Sequence, residues 1–200
     1  MSTVKTAAGP VGRPVLLDYW ALTKPGVTAL ILTTGFMTLV VAADGLPPFP
    51  LLIATVLGTA LASASANAFN MYFDRDIDAI MTRTKSRPLP AGRLEPVNAL
   101  VFAIALGIAS FAVLATWVNL PSALLALSGI LYYVFVYTLG LKRRTPQNIV
   151  IGGAAGSVPP LISWAAVTGT VEWPAILLFL IIFLWTPPHF WALALLKNED

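Results

Sequence analysis

Six long stretches of the sequence contain no Asp, Glu, Lys or Arg. They cover residues 25–43, 50–73, 97–118, 120–141, 148–171 and 173–196. Each is close to the ~20 residues that a helix needs to cross the hydrocarbon core of a bilayer. A membrane β-barrel would show ~10-residue segments of alternating polarity, whereas these stretches are continuously apolar. The sequence therefore predicts an all-α fold, a polytopic transmembrane helical bundle with six spans.

The composition agrees with a membrane protein and excludes several classes of site. Only 10% of residues are charged and 58% are hydrophobic, whereas about a quarter of the residues of a soluble domain are charged. There is no cysteine, which excludes disulfides and thiolate metal sites. Residues 1–14 are predicted to be a disordered cytoplasmic tail and residues 15–200 a membrane-embedded domain. Pro159-Pro160 and Pro187-Pro188 are expected to interrupt or kink the fifth and sixth spans.

The basic residues predict the orientation of the bundle. When the loops are assigned alternately to the two sides, all twelve Lys and Arg residues lie on one side: in the N-terminal segment, in loops 74–96 and 142–147, and at Lys197. Cytoplasmic loops carry the excess of Lys and Arg in membrane proteins. The N-terminus is therefore predicted to be cytoplasmic. The net charge of +3 follows from this topology, and no nucleic-acid partner is predicted.

An acidic segment continues from the second apolar stretch. Asn70, Asp74 and Asp78 are four residues apart, so on one continuous helix they share a face, with about 6 Å between successive side chains. Mg²⁺ usually takes one or two carboxylates from a protein, while phosphate oxygens and water complete its shell. We predict that these three residues bind Mg²⁺. Asp76 points elsewhere on a helix and is expected to pair with Arg75.

A basic loop, RTKSRPLPAGR, follows immediately and cannot continue a helix through its prolines. Carboxylates beside guanidinium groups suit a metal-bound diphosphate, because Arg binds phosphate oxygens bidentately and the metal neutralises the remaining charge. The predicted direct phosphate contacts are Arg83, Arg87 and Lys142, with Lys24 and Arg143 behind them. Lys85 and Arg93 are expected to be loop charges only.

This pattern resembles the UbiA-type intramembrane prenyltransferases, whose first aspartate-rich motif has the form N-x-x-x-D-x-x-x-D. The segments LTKPGV, FNMYFDRDIDAIMTRTKSRPLPAGRLEP, YTLGLKRRTPQNIVIGGAAGSVPPLISWAAVTG and WTPPHFWALAL are similar to the branch that farnesylates heme, and the likeness extends from about Asp18 onward. The resemblance implies a fold of about nine helices in the bacterial inner membrane. It also implies Mg²⁺-dependent transfer of farnesyl from farnesyl diphosphate to a vinyl group of protoheme IX (heme B), giving heme O, with Asp74 and Asp78 as catalytic residues on the cytoplasmic side.

Further expectations depend on this resemblance. The family's second acidic motif is expected at or beyond Asp200, so the chain is expected to be incomplete at its C-terminus. Gly26 stands where many relatives have Arg. His189, the only histidine, is a candidate for binding the heme iron or propionates, or it donates to a carbonyl near the adjacent prolines. Heme A synthase or terminal oxidase assembly factors are candidate partners.

Two other functions stay open on the sequence. One is prenylation of an aromatic or quinone precursor within the same superfamily. The other is a membrane transporter, in which acidic residues and broken helices bind ions. The charged residues stand at helix ends rather than near a midplane, which favours the enzyme.

Overall fold

A computed structural model describes residues 14–196 of the chain, so the predicted tail 1–14, apart from Pro14, and the segment from Lys197 to Asp200 lie outside the described residues. Within residues 14–196 the fold is all-α, as predicted, and contains no strand. The α-helices are α1 Val15–Leu22, α2 Pro25–Ala42, α3 Phe49–Phe73, α4 Arg75–Ile80, α5 Pro96–Trp117, α6 Leu120–Leu131, α7 Asn148–Gly152, α8 Val158–Thr168 and α9 Trp173–Leu196.

Six helical stretches in the described part are long and apolar enough to cross a membrane, which confirms the predicted number of spans. They are α2, α3, α5, α6 with its continuation to residue 141, the stretch from α7 to α8, and α9. Pro25, Pro50 and Pro96 lie in the first turns of α2, α3 and α5. A proline is tolerated there because the first N–H groups of a helix have no intrahelical partner.

Helix α3 lies at the centre of the bundle and packs against α2, α5, α6 and α8. Its contact with α5 is close because small residues line it. Ser65 Oγ donates to the Ala103 carbonyl at 2.8 Å, and Ser110 Oγ donates to the Gly58 carbonyl at 2.7 Å. Small residues let membrane helices approach until such bonds form, which replaces the hydrophobic driving force that is missing in lipid.

Two of the spans depart from regular α-helix. The fourth continues from α6 as a π-helix, Tyr132–Leu141, in which Thr138 Oγ1 donates to the carbonyl of Tyr133, five residues earlier, at 2.9 Å. The fifth span consists of α7, a 3₁₀ helix over Gly153–Ser157, and α8. The expected interruption of the fifth span is thus present, on the N-terminal side of its two prolines, whereas α9 remains helical through its own pair.

Substitution of Gly58 tests the contact between α3 and α5. A Cβ atom at Gly58 would lie 2.5 Å from side-chain carbons of Leu114, whereas a Cβ at Gly26 meets nothing within 4 Å. We expect Gly58→Ala to be less stable than Gly26→Ala by about 1–3 kcal/mol, the usual cost of overpacking. Thermal unfolding of the two variants in the same detergent measures this difference. Equal stabilities would contradict the close packing described here.

Candidate active site

The acidic segment lies where α3 ends. Asp74 interrupts the helix (φ −90°, ψ 3°) between α3 and α4, so the prediction of one continuous helix is wrong at this residue. The hydrogen-bond spacing nevertheless persists, because Asp74 N donates to the Asn70 carbonyl at 2.9 Å and Asp78 N donates to the Asp74 carbonyl at 2.8 Å. Asn70, Asp74 and Asp78 are 3%, 0% and 3% exposed. The three predicted metal ligands are therefore all buried at one end of the bundle.

Two lysines from distant segments reach the end of α3. Lys24, between α1 and α2, donates from Nζ to Asn70 Oδ1 at 2.6 Å. Lys142, at the end of the π-helix, donates from Nζ to Asp74 Oδ2, which also accepts from Asn70 Nδ2 at 2.6 Å. These contacts join the first, second and fourth spans at one polar point.

The basic loop supplies a third cation. Arg87 Nη1 donates to Asp78 Oδ2 at 2.7 Å, and the arginine is only 23% exposed. Asp78 also anchors the loop through its backbone, since its carbonyl accepts from the buried hydroxyl of Thr84 at 3.1 Å. The structure therefore brings together two of the predicted direct phosphate contacts, Arg87 and Lys142, and Lys24, which was predicted to lie behind them, around the two buried carboxylates.

One oxygen of this cluster lacks a hydrogen-bond donor. Asp74 Oδ1 is buried without a hydrogen-bond partner among the described residues, and Arg143 Nη2 is 3.9 Å away. A buried carboxylate oxygen in this state indicates a missing cationic or donor ligand. Together with the Asp78 carboxylate and the Asn70 amide, it is a hard oxygen donor set that fits Mg²⁺. The described residues contain no cluster of three His, Cys, Asp or Glu side chains that could hold a metal, so the amide is a necessary member of this set.

Lys24 is held in an unusual backbone conformation. It has φ 46° and ψ 68°, a left-handed conformation, and its N–H bonds to the Ala21 carbonyl at 3.2 Å at the end of α1. A helix C-terminus usually places glycine in this conformation. Strain of this kind is typical of functional sites. The pKa of Lys24 is lowered to about 8, mainly by burial and also by the nearby Arg87 and Lys142, while Asp74 and Asp78 oppose the shift.

Arg143 lies at the edge of the buried cluster, with its Nη2 3.9 Å from Asp74 Oδ1. Its two terminal nitrogens donate to the Asp76 carboxylate at 2.8 and 2.6 Å on the exposed side of the site. This hydrogen-bonded pair lowers the pKa of Asp76 to about 2. Arg75 instead donates to the Tyr72 carbonyl at 2.7 Å and lies 4.6 Å from the centre of the Tyr72 ring. The expected pairing of Arg75 with Asp76 is therefore wrong.

Two further predicted residues are exposed to the surroundings of the bundle. Arg83 is exposed in the loop between α4 and α5. His189 is exposed on α9, where its ring stacks on Trp185 with 6.1 Å between ring centres and meets Phe190 edge-on at 5.7 Å. The roles of both residues stay predictions.

An apolar cavity of about 380 Å³ lies inside the bundle, and Lys24 is the member of the polar cluster that lines it. Its volume falls in the range of small-molecule sites. Lys24 stands at its polar end, and the wall is formed by α2, α3, α6, the π-helix, the interrupted fifth span and α9. The positions that line it on the first three of these helices include Val27, Ile31, Thr59, Ala62, Ser63, Ala66, Asn67, Ala126, Gly129 and Ile130.

Sequence reasoning missed the aromatic wall of this cavity. Tyr133 and Tyr137 line it, with 5.1 Å between their ring centres. A Cβ at Gly152 would lie 2.2 Å from the Tyr137 ring, so the interrupted fifth span approaches the π-helix closely at this glycine. The four-residue spacing of the two tyrosines just before Lys142 is the signal that could have revealed Tyr133.

The basic loop is also anchored away from the cluster. Arg93 Nε donates to Asp18 Oδ1 at 2.9 Å, and Arg93 Nη2 donates to the Ser86 carbonyl at 3.0 Å. Asp18 is 2% exposed. The expectation that Arg93 is only a loop charge is therefore wrong, because it fixes the loop that carries Arg87 to helix α1.

Comparison with known proteins identifies the family. The model of the UbiA prenyltransferase family matches residues 30–200. The chain belongs to the UbiA prenyltransferase family. A solved UbiA homolog from Archaeoglobus fulgidus, bound to DMAPP and Mg²⁺, has the same fold, with a TM-score of 0.66 and 19% identity over 84% of this chain and 60% of that one.

Curated UbiA-family relatives are more similar in sequence. A protoheme IX farnesyltransferase from Symbiobacterium thermophilum is 60% identical over 93% of this chain and 62% of its own length. One from Synechocystis sp. is 55% identical over 93% of this chain and 59% of its own length. The chain thus spans about three fifths of the length of these relatives.

Removal of the Asp18 charge tests the anchor of the basic loop. In Asp18→Asn, Arg93 loses its charged partner, which we expect to lower the free energy of unfolding by roughly 1–3 kcal/mol. The loss is smaller than for a fully buried pair, because 18% of the Arg93 side chain is exposed. Trypsin should then cut the exposed Lys85 bond several times faster than in the unmodified protein. Asp44→Asn, in the turn between α2 and α3, is the matched control. Equal cleavage rates in both variants would show that the pair does not hold the loop.

Proposed function

We propose that the protein transfers the farnesyl group of farnesyl diphosphate to a vinyl group of protoheme IX, giving heme O. The observation that carries this proposal is the buried, donor-free Asp74 Oδ1 among three cations at the polar end of an apolar cavity. Carboxylates that can hold a metal, cations that can bind phosphate oxygens and an adjacent apolar cavity together suit a molecule with a diphosphate head and a hydrocarbon tail. The names of the curated relatives support heme B as the acceptor.

Asn70, Asp74 and Asp78 would hold Mg²⁺ on the diphosphate. The bound ion supplies neutralising charge to the leaving group. In the ligand-free arrangement Lys24 occupies the Asn70 oxygen, so Lys24 must release that oxygen and turn to the phosphate when the amide binds a metal. Lys142 and Arg87, each paired with a carboxylate, can exchange part of that contact for phosphate oxygens.

The chemistry requires charge stabilisation and a dry chamber. The bond between C1 of the farnesyl group and the diphosphate oxygen breaks, and its electron pair leaves with the diphosphate, whose charge the three cations stabilise. The vinyl π electrons form the new carbon–carbon bond, and water then adds to the resulting cation and releases a proton. The apolar walls keep water from the allylic cation before the vinyl group attacks it. Burial of each methylene of the tail contributes about 0.8 kcal/mol to binding.

The proposed setting is the bacterial cytoplasmic membrane with the acidic residues on the cytoplasmic side. The excess of Lys and Arg in the loops beside the cluster supports this orientation. Farnesyl diphosphate and heme B are the proposed small-molecule partners, in a lipid bilayer, and heme A synthase or terminal oxidase assembly factors are the proposed protein partners.

Product analysis tests the reaction. Membranes that contain the protein are incubated with heme B and farnesyl diphosphate, with Mg²⁺ or with EDTA. We expect to detect hydroxyethylfarnesyl heme by mass spectrometry only with Mg²⁺. Without the metal, the negative charge of the leaving diphosphate is not sufficiently neutralised. Incubation with 4-hydroxybenzoate instead of heme is the control. Prenylation of the benzoate but not of heme would overturn the acceptor, and no prenylated product in any incubation would overturn the reaction.

Two aspartates separated by one residue provide a matched pair of variants. Asp74→Asn removes a fully buried charge from the proposed metal site, whereas Asp76→Asn removes an exposed one, 62% accessible, that only pairs with Arg143. We expect the rate of farnesyl transfer to fall about 10³-fold or more in Asp74→Asn, a loss typical of a transition-state charge contact, and less than tenfold in Asp76→Asn. Similar rates in both variants would contradict the assignment of Asp74.

A further inference from the structure

The cavity ends at a partition on α3. Its α3 lining, traced away from the acidic cluster, consists of Asn67, Ala66, Ser63, Ala62 and finally Thr59. Beyond it, α2, α3 and α8 enclose a second, narrower void without room for a water molecule. The second void is lined by Leu32, Gly35, Phe36, Leu39, Thr55, Val56, Thr59 and Ser163. Of the described residues, Thr59 alone lines both spaces.

The hydroxyl of Thr59 differs from those of the neighbouring threonines in its hydrogen bonding. It is 4% exposed, and its Oγ1 is buried without a hydrogen-bond partner among the described residues. Other threonines of these helices satisfy their hydroxyls locally. Thr55 Oγ1, one turn earlier in α3, donates to the Leu51 carbonyl at 2.8 Å, and Thr38 Oγ1 donates to the Thr34 carbonyl at 2.9 Å. An unpaired buried hydroxyl costs stability, so its replacement by an apolar group of the same size is expected to stabilise the bundle.

The distance from the cluster to this partition is suited to a prenyl tail. Thr59 lies eleven residues before Asn70, which along an α-helix corresponds to roughly 16 Å. A chain held by its diphosphate at Asn70 and extended along α3 therefore meets Thr59 with its far end. The second void continues in the same direction between the same helices. Beyond the partition α2 and α8 approach closely, since a Cβ at Gly35 would lie 3.1 Å from Ser163 Oγ.

We propose that Thr59 is the specificity-determining residue that limits the length of the prenyl chain. The inference rests on the proposed function, because it needs the diphosphate head to bind at the acidic end. A smaller side chain at 59 extends the cavity toward the second void and favours a longer chain. A larger one shortens the cavity and favours a chain one unit shorter.

Binding measurements with chains of three lengths test the proposal. The probes are the thiodiphosphate analogues of geranyl, farnesyl and geranylgeranyl diphosphate, which do not react readily, titrated with Mg²⁺ into the full chain in lipid nanodiscs and followed by calorimetry. Thr59→Ala should raise the ratio of geranylgeranyl to farnesyl affinity about tenfold. Thr59→Leu should raise the ratio of geranyl to farnesyl affinity by a similar factor.

Two control variants separate length selection from a general effect on packing. Thr59→Val keeps the volume and removes only the unpaired hydroxyl, so the length preference should stay within about twofold while thermal stability rises. Thr55→Ala makes the same change as Thr59→Ala one turn further, where the residue lines only the second void. It should leave the preference unchanged, and an equal shift in Thr55→Ala would overturn the role of Thr59.

The remaining outcomes distinguish this proposal from the proposed function. If the unmodified chain binds all three analogues and both Thr59→Ala and Thr59→Leu keep its length preference, the proposal for Thr59 is wrong and the proposed function stands. If the unmodified chain binds none of them with Mg²⁺, the proposed function fails and the role of Thr59 fails with it. Thr59→Ala alone suffices for the test if Thr59→Leu does not fold.

Discussion

The polar end of the bundle is organised by the burial of the Asp74 carboxylate. A charge at 0% exposure is costly unless cations and hydrogen bonds surround it, and loss of one partner from a buried pair is strongly destabilising. Here the partners come from far along the chain: Lys142 is 68 residues away, and Lys24 reaches the cluster through Asn70, 46 residues away. This requirement constrains the turn between α1 and α2, the end of the π-helix and the path of the basic loop together.

The two irregular spans meet beside this cluster. Irregular backbone in a membrane protein is tolerated where protein surrounds it or where it lines a cavity, and both conditions hold here. The π-helix turns Tyr133 and Tyr137 into the cavity, and the fifth span places Gly152 against the Tyr137 ring. The wall of the chamber therefore combines the two least regular parts of the bundle with the regular helix α3, which packs against α5.

The six spans and the grouping of basic residues could be predicted because the length of an apolar stretch and the sign of a loop charge are local properties. The break at Asp74 and the π-helix could not, since both preserve the apolar pattern of a helix and depend on contacts with other spans. Ion pairs were the least predictable. Adjacency favoured Arg75 for Asp76, yet Arg143, 67 residues later, binds it, and Arg93 pairs with Asp18, 75 residues earlier. Sequence spacing therefore predicted which residues lie together at the end of α3 more reliably than it predicted which residues pair.

The left-handed backbone of Lys24 has a consequence for evolution and engineering. Glycine would occupy this position with less steric strain, but it would remove the hydrogen bond from Lys24 Nζ to Asn70 Oδ1 that ties this turn to the polar cluster. Directed evolution that rewards heat resistance alone therefore weighs the relief of backbone strain at position 24 against the loss of this contact. The backbone conformation at position 24 favours glycine, whereas the contact with the polar cluster requires the lysine side chain.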